Sequence, residues 1–299
     1  MIKVNFEQIS KPNIWSYISL AGFEVMKSKG EDATEYVAEK KRRILEYVVK
    51  RVANLSNEKI VQKLEKIKEA LLSLDYEVRS VKIKAISLVL VGASENFGKI
   101  PFEIGLYFDW LLNVPYISSS TIKGAVRAGV YELLVNDFKK SKRMDNAENK
   151  AESECRRLFG DNKCMGLIGF TDAYPIEEGE KGYMFFPDVM TPHYSEETTS
   201  ELEVSPTPIT YLAIMPDTLF QFYLFYKKER KSIKEVRQLD IRNFKDADLA
   251  EEPIPHVDEL GIVDRGLLYS FYKGVGAKTS VGYSKFEVVS YEKVLLRNE

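Results

Sequence analysis

Near the C-terminus, the stretch KGVGAKTSVGYSK (Lys273 to Lys285) gathers Gly274, Gly276, Gly282, Lys278 and the hydroxyls of Thr279, Ser280 and Ser284 within a dozen positions. Glycines let a ligand come close to backbone N–H groups, and one cation among hydroxyl donors suits an anion such as a phosphate. A nucleoside-triphosphate loop needs glycine directly before its lysine, but Ala277 precedes Lys278. A dinucleotide fingerprint needs a third glycine where Thr279 stands, and it follows a strand, whereas this stretch follows a helical pattern. Both templates fail, and the composition that remains suits a sugar-phosphate backbone, which needs positioning and no chemistry. The alternative is a tight helix-to-strand connection whose glycines serve only the turn.

Three further stretches carry groups that can bind or react. In ISSSTIKGAVR, Ser118 to Thr121 fall at a predicted helix start, where hydroxyls and free N–H groups attract anions. Lys123 and Arg127 are four apart on one face, away from the Ile122/Val126 stripe. Gly124 weakens that helix by about 1 kcal/mol relative to alanine, which makes sense where another backbone must approach. The alternative is an ordinary capped helix with solvated cations. In LFGDNKCMGLIGFTDAYP, Asp172 reads as a partner for a nearby backbone turn, with a catalytic or metal-binding acid as the alternative. In DVMTPHY, His193 reads as a hydrogen-bonding or base-stacking residue, with a general base for RNA cleavage as the alternative.

The elements that must position these groups follow from periodicity. From Asp32 to Leu74 the pattern is helical, with Ile44, Leu45, Val48, Val49 and Val52, then Ile60, Leu64, Ile67, Leu71 and Leu74, on apolar faces; we expect an antiparallel helical pair laid on another element. A strand is predicted from Val81 to Gly92, with more strand or a hairpin in PFEIGLYFDWLL. A helix follows on the stripe Ile122, Val126, Val130 and Leu133. Residues 137–157 are charged and read as a surface insertion or a flexible helix, and residues 227–252 as a second charged insertion. PITYLAIMPDTLFQFYLFY predicts a hairpin about Pro216-Asp217. A helix with Leu260, Val263, Leu267 and Phe271 inward, stopped by Gly274, precedes a last strand in SKFEVVSYEKV. The expected class is α+β, with an N-terminal helical extension (residues 1–79) and a main domain (80–299).

Composition narrows the function. The 299 residues carry a net charge of −2, so polyanion binding must come from a local patch. Two cysteines nine apart, Cys155 and Cys164, with only two histidines, read as unpaired and metal-free. The chain shows no apolar run of membrane length and no signal-like apolar core, so we expect a cytoplasmic protein.

Taken together, PYISSSTIKGAVR, LFG…GLIGFTDAYP, DVMTPHY…SPTPITYL and GVGAKTSVGYSKF resemble, in order and spacing, the RAMP proteins of CRISPR systems. The resemblance spans Val81 to Val288 and is nearest to the subunit of type III-B (Cmr) effectors that caps the 3′ end of the guide RNA. Two positions depart from the family pattern: Ser118 and Ser119 replace a Pro-Gly-type pair, and Ser284 replaces the last glycine of the closing motif. The resemblance implies a ferredoxin-like, RRM-type domain and a non-catalytic subunit that binds guide RNA (crRNA), meets other RAMP subunits, has target RNA as a further partner, and needs no cofactor or metal. It implies RNA contacts by Ser120, Thr121, Lys123, Arg127, His193, Gly274, Gly276, Lys278, Thr279, Ser280, Gly282 and Tyr283. An endoribonuclease of the same superfamily is the alternative.

Overall fold

The computed structural model describes residues 13–27, 33–51, 57–140, 146–191, 208–227 and 261–294. Its centre is a five-stranded antiparallel sheet in which β4 (Ile168–Phe170) and β5 (Tyr174–Glu177) both pair β8 (Leu219–Lys227). Strand β8 pairs β1 (Tyr76–Ala85), and β1 pairs β9 (Phe286–Lys293). Alternation decides the faces. Val81, Ile83 and Ala85 of β1, with Phe220, Phe222 and Leu224 of β8, join the main core beneath α5 (Ser119–Lys140) and α7 (Ile262–Lys273). Val78 and Tyr223 turn the other way, to a second cluster closed by Ile60 and Leu64 of α3 (Asn57–Ser73).

The predicted stripes of α5 and α7 are the buried ones: Ile122, Val126 and Val130, and Val263, Leu267 and Phe271. Gly274 ends α7, with φ 118° and its N–H donating to Ser270 O. The two helices meet at small residues. A Cβ on Gly129 would lie 2.8 Å from Gly266 O, and one on Gly266 would lie 3.0 Å from Val130 N. Ser270 Oγ donates to Ala125 O and Gly266 O at the same crossing.

Several expectations are corrected. The helices between Asp32 and Leu74 do not form a pair laid on one surface. Ile44, Leu45 and Val48 of α2 (Ala33–Arg51) enter the main core beside Ile14 and Ile18 of α1 (Ile14–Lys27), whereas α3 closes the opposite face of the sheet. The strand expected to reach Gly92 ends at Ala85. Residues 86–91 instead receive the C-terminal loop, with an isolated bridge from Val89 to Ile214. The turn at Pro216-Asp217 is real, but no hairpin forms about it. β7 (Ile209–Ile214) pairs with β6 (Phe185–Met190) in a separate ribbon, and β8 enters the central sheet. The Asp217 side chain is drawn to Lys84, 2.9 Å away, and its N–H donates to Ala85 O, so the turn steers the chain from one sheet to the other.

Within 137–157 the chain is helical at both ends. After α5, α6 (Ala147–Phe159) buries Ala151, Cys155 and Leu158 and keeps its charges outward. Cys155 and Cys164 are unpaired, and burial pushes the Cys155 thiol up to about 11, the behaviour of a core residue. The stretch 227–252 lies outside the described residues apart from Lys227, as do Leu260 and His193. The short α4 (Lys99–Phe102) and the pair β2 (Phe108–Asp109) and β3 (Val114–Pro115) complete the described elements. No described helix is long and apolar enough to cross a membrane.

Candidate nucleic-acid interface

The glycine-rich loop leaves α7 and docks on residues 86–91. Val275 N–H donates to Ser284 O, Ala277 N–H to Leu90 O and Ser284 N–H to Leu88 O, each at 2.8 Å. A Cβ on Gly276, whose φ is 138°, would lie 2.6 Å from Leu90 O, and one on Gly274 would lie 2.8 Å from Thr279 Cγ2. These two glycines therefore serve the chain's own packing. Gly282 differs: its φ of 92° needs glycine, and nothing of the chain lies within 4 Å of where its Cβ would be. Ser280, Val281 and Gly282 are exposed on the single 3₁₀ turn Thr279–Val281 and its end.

Ser284, where the family pattern has glycine, keeps the left-handed backbone at φ 56°. Its fully buried hydroxyl accepts from Leu90 N–H at 3.0 Å and bonds Leu90 O and Ala277 O. The serine thus bears the conformational cost and adds a lock between loop and strand exit. Ser284→Ala leaves the buried Leu90 N–H unsatisfied, so we expect a loss of about 1–3 kcal/mol in a urea titration. A change below a few tenths would show that the lock is dispensable.

Lys278 turns inward. Its Nζ donates to Tyr211 Oη at 2.7 Å and stands 4.3 Å from the Tyr283 ring centre. Tyr211 Oη donates to Asp188 Oδ2 at 2.6 Å, and the Tyr283 hydroxyl makes a short bond to the same oxygen. Burial alone would raise the Asp188 pKa. The two phenol hydrogen bonds, the Val189 N–H and the Lys278 charge outweigh it and hold the carboxyl below its usual range. Tyr283 packs the loop, and Asp188, from the DVMTPHY stretch, ties that loop to the β6–β7 ribbon. Tyr211 carries no distinguishing signal in the sequence, since in β7 it reads as one more core aromatic.

At the start of α5, Ser118 is the cap. Its Oγ accepts the Thr121 N–H at 3.3 Å and bonds the hydroxyls of Ser120 and Thr121. Asp172 Oδ1 accepts the Ser119 N–H at 2.7 Å, so this aspartate partners a backbone turn. Among the described residues the exposed Ser120 N–H has no acceptor. Arg127 leans onto α6, with its Nη2 2.8 Å from Glu152. Lys123 makes no hydrogen bond or ion pair with any described residue. Gly124 is exposed, with nothing within 4 Å of a built Cβ. Ser120 N–H, Lys123 and the bare Gly124 backbone therefore share one patch at the start of α5, whereas Arg127 and Lys278 are held by internal partners.

The crossing of α5 and α7 relates the two segments, because Ser270, only four residues before Gly274, bonds Ala125. No hydrogen bond or ion pair among the described residues joins 118–124 directly to 274–285. The described residues contain no group of three His, Cys, Asp or Glu side chains able to hold a metal ion.

Residues 82–287 match the RAMP superfamily. This chain belongs to that superfamily. The RAMP chain is 31% identical over 278 residues to the CRISPR system CMR subunit Cmr6 of Saccharolobus solfataricus (strain P2), covering 92% of this chain and 81% of that protein. It also resembles a chain in the cryo-EM structure of the type III-B Cmr-beta bound to cognate target RNA. The TM-score is 0.72 at 27% identity, over 97% of this chain and 95% of the other. The motifs that carried the family resemblance thus lie in the matched region.

Proposed function

We propose that this RAMP chain is a non-catalytic, crRNA-binding and assembly subunit of a type III-B (Cmr) ribonucleoprotein that targets RNA in antiviral defence. Its partners would be the guide RNA, other RAMP subunits and, in the engaged complex, target RNA. The similarity to a Cmr subunit and to a chain of an RNA-bound Cmr-beta complex supports the assembly. The sheet supports a ferredoxin-like (RRM-type) reading: α5 follows β1, α7 follows β8, both cover one face, and the order is β4/β5, β8, β1, β9. An N-terminal helical extension that ends where β1 begins at Tyr76, and not at residue 79, with insertions near 137–157 and 227–252, belongs to the same reading.

Gly124 is the observation that carries the proposal. A glycine inside a helix costs about 1 kcal/mol relative to alanine, and among the described residues nothing outside its own helix backbone lies within 4 Å of a Cβ built on it. Its use points outward, to a ligand whose backbone passes over the first turns of α5. Lys123 and the free Ser120 N–H suit a phosphate there, and the exposed Ser280 and Gly282 suit a second contact on the loop. Asp172 is engaged in capping, which favours holding over cutting.

We expect Gly124→Ala to raise the stability of the free chain by up to about 1 kcal/mol. Gly124→Leu should reduce the guide RNA retained by the reconstituted complex. Lys123→Ala should flatten the slope of log affinity against log salt by about 0.7. Guide retention and salt slope unchanged in both Gly124→Leu and Lys123→Ala would overturn the assignment. So would RNA cleavage by the purified chain that disappears in Asp172→Ala or His193→Ala.

A further inference from the structure

The face of the sheet opposite α5 and α7 is closed by α3, and the outer side of α3 sorts its charges. Helical spacing places Lys59, Gln62, Lys63, Lys66 and Ala70 along one flank, and Glu58, Glu65 and Glu69 along another. The lysine flank, with Ile67, forms a shallow, open surface along this one helix. Lys63 is already committed: it is 2.9 Å from Asp109 Oδ2, bonds the Tyr174 hydroxyl and lies 4.0 Å from the Tyr174 ring centre. Lys59 and Lys66 are exposed and make no ion pair with any described residue. Two turns of helix, about 10 Å of rise, separate them.

Asp109 extends the surface sideways. It opens the tight connection between β2 and β3, and its Oδ1 accepts the N–H groups of Leu111 and Leu112. Asn13 Nδ2 donates to Trp110 O at 2.7 Å, and Asn113 Oδ1 accepts the Ile14 N–H at 2.7 Å. The tip is therefore fixed on several sides, yet it presents Trp110 at 58% and Leu111 at 72% exposure. Tyr174 stacks on Tyr116, and Asp172, two residues before Tyr174, caps α5. A row of aromatic and polar groups thus leads from the Ser119 end of α5 to the lysine surface.

We infer that the α3 lysine surface and the Trp110 tip form a second contact site for single-stranded RNA, with Lys59 and Lys66 on phosphates and the Trp110 ring against an unpaired base. A cationic surface beside an exposed aromatic ring on a tied-down backbone is the arrangement that holds single strands without reading sequence. The charge sorting on α3 favours this occupant over a protein partner, since the glutamates that would repel RNA are kept to the other flank. The inference rests on the RNA-binding reading above and extends the RNA track beyond α5.

The test uses the full chain at low ionic strength and a fluorescein-labelled oligouridylate. We expect Lys59→Glu with Lys66→Glu to weaken binding about tenfold and to flatten the salt slope by about 1.4, at 0.7 for each phosphate no longer neutralised. Trp110→Ala should weaken binding about tenfold, and Trp110→Tyr should restore most of it. The chain has two tryptophans, and Trp15 packs beside Phe97 and Phe108. RNA should therefore quench the Trp110 emission, and the quench should vanish in Trp110→Ala while the Trp15 emission remains. If both surface variants bind like wild type and Lys123→Ala binds weakly, the second site is refuted and the first stands. Variants that bind RNA normally but fail to join the other subunits would make this face a protein interface, which also refutes it. A wild-type chain that binds no RNA at low salt removes both readings.

Discussion

Gly129→Leu is expected to lower the unfolding free energy by about 3 kcal/mol, the upper range for forcing bulk into a closed interface. A Cβ at this position would meet backbone, the Gly266 carbonyl at 2.8 Å, and backbone cannot rotate aside. Gly266 faces the same crossing, 3.0 Å from Val130 N by the same construction, so neither helix has slack. The single hydroxyl proton that Ser270 Oγ shares between Gly266 O and Ala125 O would lose its geometry to both. The functional consequence follows from what each helix carries. α5 presents Ser120 and Lys123, and α7 runs directly into the glycine-rich loop, so a wedge between them shifts one of the segments proposed to bind RNA against the other. Guide retention should therefore fall in the folded fraction as well. An unfolding free energy from urea titration within about 0.5 kcal/mol of wild type would mean that the crossing is not close-packed.

The elements with one buried face are legible in the sequence, because burial imposes period. α5, α7 and β9 emerge this way, and so do α2 and α3 as helices. Their destinations do not, since an apolar stripe says that something covers it and not what. Ile44 and Ile60 look alike in the sequence, yet they enter different clusters on opposite sides of the sheet. The strand predicted through Val81 is too long because residues 86–91 are as apolar as a strand. Val89, Leu90 and Val91 are buried where the docked loop covers them and not by a ladder, while Ile86 is exposed. The hairpin at Pro216-Asp217 fails for a related reason: turn chemistry fixes a reversal, but partner choice is settled by the register of β8 against β1.

The interface is legible in type and less so in role. Lysines and glycines stand out as groups that suit a phosphate, but sequence cannot separate Gly276, which packs on Leu90, from Gly124, which packs on nothing. Nor can it show that Lys278 meets Tyr211, 67 residues away. Helix α1 escapes a reading by period because Leu20 and Phe23 face outward and blur the stripe of Ile14 and Ile18.

Leu64→Ala should cost about 2–5 kcal/mol, the range for deleting a buried leucine and leaving part of its cavity. Leu64 is 2% exposed and sits with Ile60 over Val78, Tyr174 and Tyr223, with Ile67, Leu71 and Leu72 packed around them, so it stands at the centre of the cluster that holds the lysine-bearing helix to the sheet. Val61, on the outer side of the same helix, supplies the contrast: Val61→Ala should change stability by less than about 0.5 kcal/mol. A second readout separates loosening of α3 from a general loss of stability. Burial, with the nearby Glu65 charge, pushes the Tyr223 phenol up to about 12, and both causes come from or beneath α3. If α3 loosens while the sheet persists, water reaches Tyr223 and Glu65 moves off, so the pKa must fall toward the ordinary value near 10. A site-labelled tyrosine titration follows this by NMR. A leucine deletion that costs several kcal/mol yet leaves the Tyr223 titration in place would mean that α3 stays seated and that the outer face of the sheet is sealed by more than this helix.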